Sequence, residues 1–269
     1  MTRYFFLYSG VDEQEIENSV NRDLKTYYDW LCYNKMGINV GKTVHMIYNQ
    51  KRKLNINPEI KLNNIALKRV EEYRYLGLIM SSKLNWESHV HSVVNKIVLF
   101  IGAIRRCSHQ LNTSTRYMLY HSFIEPHLRY LIPCWGNTTV KLFEQMQRVQ
   151  NKAVKTIFSL SVYTPTDILY QRCNLMKLSK LKILEQVKLI YKIKHKTIKT
   201  NLEIKQNNEF HSHNTRHKEN LKNNSARTKK TQDSPIYRSV QVYNTMPKNL
   251  LQGEEQNFKN LKKYLKLRE

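Results

Sequence analysis

The chain holds 269 residues, enough for one large domain or two modest ones, and its 41% hydrophobic content with 17 Tyr argues for a packed core over a disordered polymer. Lys and Arg number 45 against 21 Asp and Glu, a formal charge of +24; such a surplus repels itself unless a polyanion neutralises it, which points first to nucleic acid and second to an anionic membrane surface or an acidic protein. No stretch approaches the roughly 18 apolar residues needed to span a bilayer, and 7 Gly with 6 Pro favour helices over a many-stranded sandwich.

The first ten residues carry a short apolar patch around Phe5 and Phe6, too brief for a signal peptide. Residues 12–34 predict an amphipathic helix, with Ile16, Val20, Leu24, Tyr27, Tyr28 and Leu31 at three- and four-residue steps and acids at its start. Gly37 ends it, and Ile38 to Tyr48 predict a strand with period-two alternation. Ile60 and Leu62, then Asn63-Asn64, then Ile65 and Leu67 predict a hairpin. Tyr73 to Met80 predict one further short strand.

Past Trp86 the pattern becomes helical. Val90, Val93, Val94, Ile97, Ile101 and Ile104 mark a helix ending at Arg105-Arg106; Tyr117, Tyr120, Phe123 and Ile124 mark a second, stopped near Pro126. Leu142, Met146, Val149, Ala153 and Ile157 mark a third, and Ile183, Val187, Ile190 and Tyr191 a fourth within 179–200. Residues 201–234 predict a polar linker, and 235–269 a final patch with helical spacing at Phe258, Leu261, Tyr264 and Leu265. The fold class is therefore α+β: a helix with short antiparallel strands over 1–80, a mainly helical part over 81–200, then an irregular tail.

Between Ser88 and Thr200 stand 18 Lys and Arg against 4 Asp and Glu, so the basic surplus belongs to the helical half. Lys141, Arg148, Lys152 and Lys155 fall on the polar side of the third helix, and Arg105 and Arg106 close the first. Such a row suits the phosphate backbone, where positive charge adds affinity without reading sequence; a solvated helix face is the competing reading. Trp86, Trp135 and the tyrosines suit a core better than stacking platforms. Cys32, Cys107, Cys134 and Cys173 form no close pair, which excludes a zinc knuckle and fits free thiols. His211, His213 and His217 lie without neighbouring Cys or carboxylates and read as part of the linker.

In order, these segments carry a resemblance. Tyr8-Ser9-Gly10, Trp30-Leu31 and Asn34 to Thr43 resemble the stretch that follows the active-site strand in jockey-like non-LTR reverse transcriptases. Tyr73 to Leu78 with Leu84-Asn85-Trp86-Glu87-Ser88-His89 resemble that family's "KYLG…L-x-W-x-x-H" segment, and Pro126, Tyr130 and Trp135-Gly136 its "P-x-L-x-Y…WG" signature. Gln147 to Ala153 resemble its "Q-x-K-A" helix, and Thr215-Arg216 through Tyr243 to Pro247 and Phe258-Lys259 its tail.

The resemblance implies the end of a polymerase palm over 1–80, a thumb and connection over 81–200, a linker over 201–234 and a C-terminal extension over 235–269. The partners it implies are an RNA template and a DNA primer, without membrane or small-molecule cofactor. It implies an accessory role for Lys42 near the incoming nucleotide, and a primer-gripping role for Tyr75, Leu76 and Gly77, where a Gly lets backbone approach a phosphate. The family's paired aspartates hold Mg²⁺, and counting back from Tyr8-Ser9-Gly10 places them near Met1, Thr2 and Arg3, which are not acidic. The five Asp (Asp12, Asp23, Asp29, Asp167, Asp233) include no adjacent pair, and Glu71-Glu72 and Glu254-Glu255 read as solvated charges. Mg²⁺ is expected for a full-length enzyme and not for this chain, and no catalytic residue is assigned within it. A stand-alone basic RNA- or DNA-binding module, and a non-functional remnant of a degraded element, remain alternatives.

Overall fold

The computed structural model describes residues 5–48, 57–210, 215–223, 225–251 and 256–267. The chain divides into two compact units, Met1–Trp86 and Glu87–Glu269, and the class is α+β with helices dominating the second.

In the first unit, α1 (Glu13–Tyr33) starts at Asp12, whose side chain accepts from the Gln14 N–H. Six short strands follow: β1 (Val44–His45), β2 (Lys61–Leu62), β3 (Ile65–Ala66), β4 (Lys68–Arg69), β5 (Glu72–Tyr75) and β6 (Leu78–Ser81). The β2–β3 hairpin forms as the sequence predicts, turning on Asn63 (φ 49°) and Asn64 (φ 62°), since Asn tolerates the left-handed backbone that such a turn demands.

Helix α1 holds the chain entering β2 through its side chains. Glu13 accepts the Asn57 N–H at 2.7 Å, Glu17 the Glu59 N–H at 3.0 Å and Asn21 the Lys61 N–H at 2.8 Å. Four helical residues rise about 6 Å and two extended residues about 6.6 Å, so the two periods stay in step over three bonds. Beneath them Leu24 packs with Ile60, Leu62 and Leu67.

Two strand expectations need correction. The segment 38–48 is not one strand: Asn39 accepts the Lys42 N–H at 3.1 Å and winds Val40–Lys42 into a 3₁₀ turn, leaving β1 only two residues. β1 then pairs parallel with β4, not antiparallel, which the long connection between them permits. The run Tyr73 to Met80 is a hairpin, because Leu76 (φ 46°) and Gly77 (φ 86°) reverse the chain between β5 and β6.

The second unit begins with α2 (Glu87–Cys107) and α3 (Thr113–Leu119), continues through a π-turn (Tyr120–Ile124) into α4 (Glu125–Arg129), and adds α5 (Ile132–Trp135), α6 (Val140–Ile157) and α7 (Thr166–Arg172). α8 (Leu178–Lys194), α9 (Lys229–Gln232), α10 (Pro235–Asn244) and α11 (Gln256–Leu267) complete it. Pro126 does not stop the second predicted helix: the ladder widens over the preceding π-turn, and Pro126 sits in the first turn of α4, where its missing N–H costs little.

α2 and α6 pack as a pair, burying Val90, Val93, Ile97, Ile101 and Ile104 on one side and Met146, Ala153, Val154 and Ile157 on the other. α8 runs through the centre, with Leu181, Leu184, Val187 and Ile190 clustered with Val240, Tyr243, Leu261 and Leu265 of α10 and α11. Among its described residues the tail is irregular up to Thr228, apart from a 3₁₀ turn at Asn207–Glu209, and becomes helical in α9, α10 and α11, the last where the apolar spacing predicts it. The stretch read as a linker is also tied in, since Leu221 is 3% exposed in the same core and its N–H and C=O both bond the Asn244 amide at 2.9 Å. One leucine and one amide among many polar residues leave little periodic signal, which is why sequence reading treats the segment as free.

Candidate nucleic-acid interface

On α6 the apolar and basic residues separate by helical geometry. At about 100° per residue, Lys141, Arg148, Lys152 and Lys155 fall within about 60° of one another. Met146, Gln150, Ala153, Val154 and Ile157 are buried elsewhere on the helix. Lys141, Arg148 and Lys152 are exposed. Lys155 differs: it is half-buried, and its Nζ donates to the Val162 carbonyl at 2.6 Å. Arg105 and Arg106 are exposed in the last turn of α2, where cations also favour the negative end of the helix dipole.

The acids between Ser88 and Thr200 are largely neutralised from within. Glu125 is 6% exposed and bonded to His121 and, at 2.9 Å, to Arg129. Arg129 reaches on to Glu185 at 2.6 Å, and Lys188 approaches the same carboxylate at 3.4 Å. Asp167 pairs with Lys177, whose hydrogen bond and charge hold its carboxyl below the usual range. Glu144, on the edge of the α6 row, is exposed. Each internal pair uses a cation along with its acid, so the segment keeps its compositional surplus of 18 Lys and Arg over 4 Asp and Glu, and the exposed side chains of α6 carry part of it.

The residues marked in the first unit occupy turns. Lys42 is exposed at the end of the 3₁₀ turn, and Leu76-Gly77 forms the tip of the β5–β6 hairpin, beyond Tyr75, whose ring lies 5.5 Å from Phe5. The positive φ of Gly77 serves the turn itself.

Among the described residues the aspartates stand apart from one another. Asp12 caps α1, and Asp23 accepts from the Tyr8 hydroxyl at 3.0 Å. Asp29 lies on α1 without an acidic neighbour, and among the described residues no three His, Cys, Asp or Glu cluster as metal ligands. Hard Mg²⁺ requires convergent oxygens, so this donor set does not fit it. Met1, Thr2, Arg3, His211, His213 and the pair Glu254-Glu255 lie outside the described residues. His217 Nδ1 faces the Asn220 amide at 3.2 Å.

The motif residues behind the resemblance are mostly structural. Trp135 is fully buried, donates to the Tyr130 carbonyl at 2.8 Å, and lies 5.9 Å from the His89 ring. Gln147, Gln150 and Asn151 form a hydrogen-bond network with Tyr120 and Tyr170, buried at Gln150–Tyr120 and half-buried elsewhere. Sequence reading left 158–165 unassigned, although Lys155 reaches into it; a lysine tied to a backbone carbonyl has no sequence signature.

No protein-family model matches the chain, and no solved structure matches it. At 22% identity over 172 residues it is similar to the probable RNA-directed DNA polymerase from transposon BS of Drosophila melanogaster, a match covering 63% of this chain and 19% of that protein. At 20% identity over 155 residues it is similar to the RNA-directed DNA polymerase from mobile element jockey of Drosophila funebris, covering 56% of this chain and 17% of that protein. The match thus spans less than a fifth of the length of either relative. No helix among the described residues is long and apolar enough to cross a membrane. With the ordered motifs, these likenesses give the chain a non-LTR reverse-transcriptase-like origin.

Proposed function

We propose that this chain is the template–primer-holding portion of an RNA-directed DNA polymerase of a non-LTR retrotransposon. Its second unit acts as a thumb that grips nucleic acid through phosphates. One observation carries the reading: Lys141, Arg148 and Lys152 project along one side of α6, while Glu125 and Glu185 are drawn into internal ion pairs. Charge arranged this way favours a polyanion without selecting its sequence. On this reading the nucleic-acid partners are an RNA template and a DNA primer; the similar Drosophila proteins are RNA-directed DNA polymerases by name.

The same reading makes this 269-residue chain unable to join nucleotides by itself. Nucleotidyl transfer needs carboxylates converging on divalent ions, whereas Asp12 caps α1, Asp23 accepts from Tyr8, and Asp167 and Asp233 pair with Lys177 and Arg238 in separate places.

Two measurements test the proposal with the purified chain. Affinity for an RNA–DNA hybrid against salt should fall with a log–log slope steeper than about −3, as several phosphate contacts require; a flat slope removes the phosphate-gripping role. Primer extension on an RNA template with Mg²⁺ should yield no product, and synthesis above background would overturn the catalytic part alone.

A further inference from the structure

The loop between α6 and α7 is built to present a side chain. Ser159 (φ 55°) reverses the chain, and its Oγ accepts from Arg116 Nη1 at 3.0 Å. The Leu160 N–H returns to the Lys155 carbonyl at 2.8 Å, and Ser161 accepts both the Thr164 N–H at 3.1 Å and, through its hydroxyl, the Tyr163 N–H at 3.3 Å. Lys155 Nζ then pins the Val162 carbonyl at 2.6 Å. A loop fixed by this many bonds nevertheless leaves Val162 74% and Tyr163 90% exposed. Ordering backbone and holding an aromatic ring in water gains nothing within the fold.

Charge identifies the occupant. The loop is anchored at the C-terminal end of the α6 row, beside Lys155 and one turn beyond Lys152, and Arg116 holds its first residue. An aromatic ring offered among cations suits an unpaired nucleobase, whose flat face stacks on the ring while the adjoining phosphates meet the basic side chains. An acidic apolar peptide would also find the charges, but every base has a face that a solvent-exposed ring can take, and no pocket is required.

We propose that Tyr163 is a stacking platform for an unpaired base of the bound nucleic acid, and that Lys155 is its positioning residue, not a phosphate ligand. The proposal rests on the nucleic-acid reading above and assigns to it a single-stranded component.

The experiment uses the full chain and a single-stranded oligonucleotide carrying 2-aminopurine, whose fluorescence falls when it stacks. Tyr163→Ala should weaken binding about 10-fold and abolish the quench, with the salt slope unchanged. Tyr163→Trp should keep both. Lys152→Ala should instead lessen the slope by about 0.7 and keep the quench. Lys155→Met, which frees the loop, should reduce the quench while changing the slope less than Lys152→Ala does. If Tyr163→Ala binds and quenches like the unsubstituted chain, the stacking role is wrong while the thumb reading stands. If the unsubstituted chain binds no oligonucleotide or hybrid, both fall.

Discussion

Gln150 Nε2 donates to the Tyr120 hydroxyl at 2.8 Å, and the two side chains are among the most deeply buried in the second unit. The same amide donates to the Met176 carbonyl at 2.9 Å and accepts the Leu178 N–H at 2.9 Å, so one side chain on α6 joins the π-turn to the first residue of α8. Burial pushes the Tyr120 phenol well above its ordinary pKa, which keeps it a neutral hydrogen-bonding group. A motif position that resembles a polymerase signature is here a joint of the scaffold.

Replacing Gln150 by Leu keeps the volume but strands the Met176 carbonyl and the Tyr120 hydroxyl in a dry site. The expected loss is about 3 kcal/mol, since each orphaned buried group costs about 1–3 kcal/mol. Gln147 also accepts the Leu178 N–H, at 3.1 Å, and limits the damage at that third group. Urea unfolding should show a lower midpoint with unchanged slope, whereas Glu144→Gln, on the exposed edge of the same helix, should leave the midpoint in place.

In the first unit the carboxylates of Glu13 and Glu17 stand where a neighbouring strand would offer carbonyls. Glu17→Ala removes the acceptor for the Glu59 N–H and should cost about 1 kcal/mol. Hydrogen exchange reads this locally: the Glu59 amide should exchange faster while the Leu67 amide, bonded to the Ile60 carbonyl at 2.8 Å, changes less. Equal protection at Glu59 in both proteins would show that the carboxylate is dispensable.

The major helices and the Asn63-Asn64 hairpin are legible because their signals are periodic and local. α1, α2 and α6 begin and end within a few residues of where the apolar spacing and breakers put them, and α8 starts one residue before its predicted span of 179–200 but stops at Lys194. What stays illegible depends on partners distant in sequence. Neither Leu221, fastened by Asn244, nor Lys155, tied to Val162, advertises its bond in the residues beside it. The row on α6 was readable as a charge pattern, yet only geometry separates the exposed Arg148 and Lys152 from the occupied Lys155. Leu76-Gly77 misled because the apolar residues on both sides of the turn read as one continuous strand.

His127 gives the second unit an acid sensitivity. Burial, followed by the nearby Lys96 charge, lowers its pKa below the ordinary histidine value of 6.5, and its ring stacks on Phe100 at 5.5 Å. A depressed histidine binds fewer protons folded than unfolded, so stability rises with pH across the window below 6.5 and is fully present above it. Thermal midpoints should therefore fall as pH drops from about 7.5 to about 5.5, and fall less in His127→Phe. Identical pH profiles for the two proteins would remove this histidine as the cause.

Gly136 is required by space, not by backbone torsion. A Cβ there would stand 2.5 Å from the Ile132 carbonyl oxygen and 2.9 Å from Ile132 Cγ1. The neighbouring Trp135 is fully buried and bonded to the Tyr130 carbonyl, so the α5 turn has little room to yield. Gly136→Ala should destabilise the chain by about 2 kcal/mol, read as a lower thermal midpoint. An alanine variant as stable as the unsubstituted chain would mean that α5 shifts freely.

The basic row makes a residue-by-residue prediction on an RNA–DNA hybrid. Each true phosphate ligand contributes close to one unit of salt slope on a duplex, so Arg148→Ala and Lys152→Ala should each lessen the slope by about 0.9. They lie four residues apart with exposed side chains, and their effects should add in the double variant. Lys155→Ala should change the slope less, because its ammonium is already engaged by the Val162 carbonyl. If all three substitutions alter the slope equally, α6 acts through its total charge and the side chains are not individually placed on phosphates; if none does, the nucleic acid binds elsewhere.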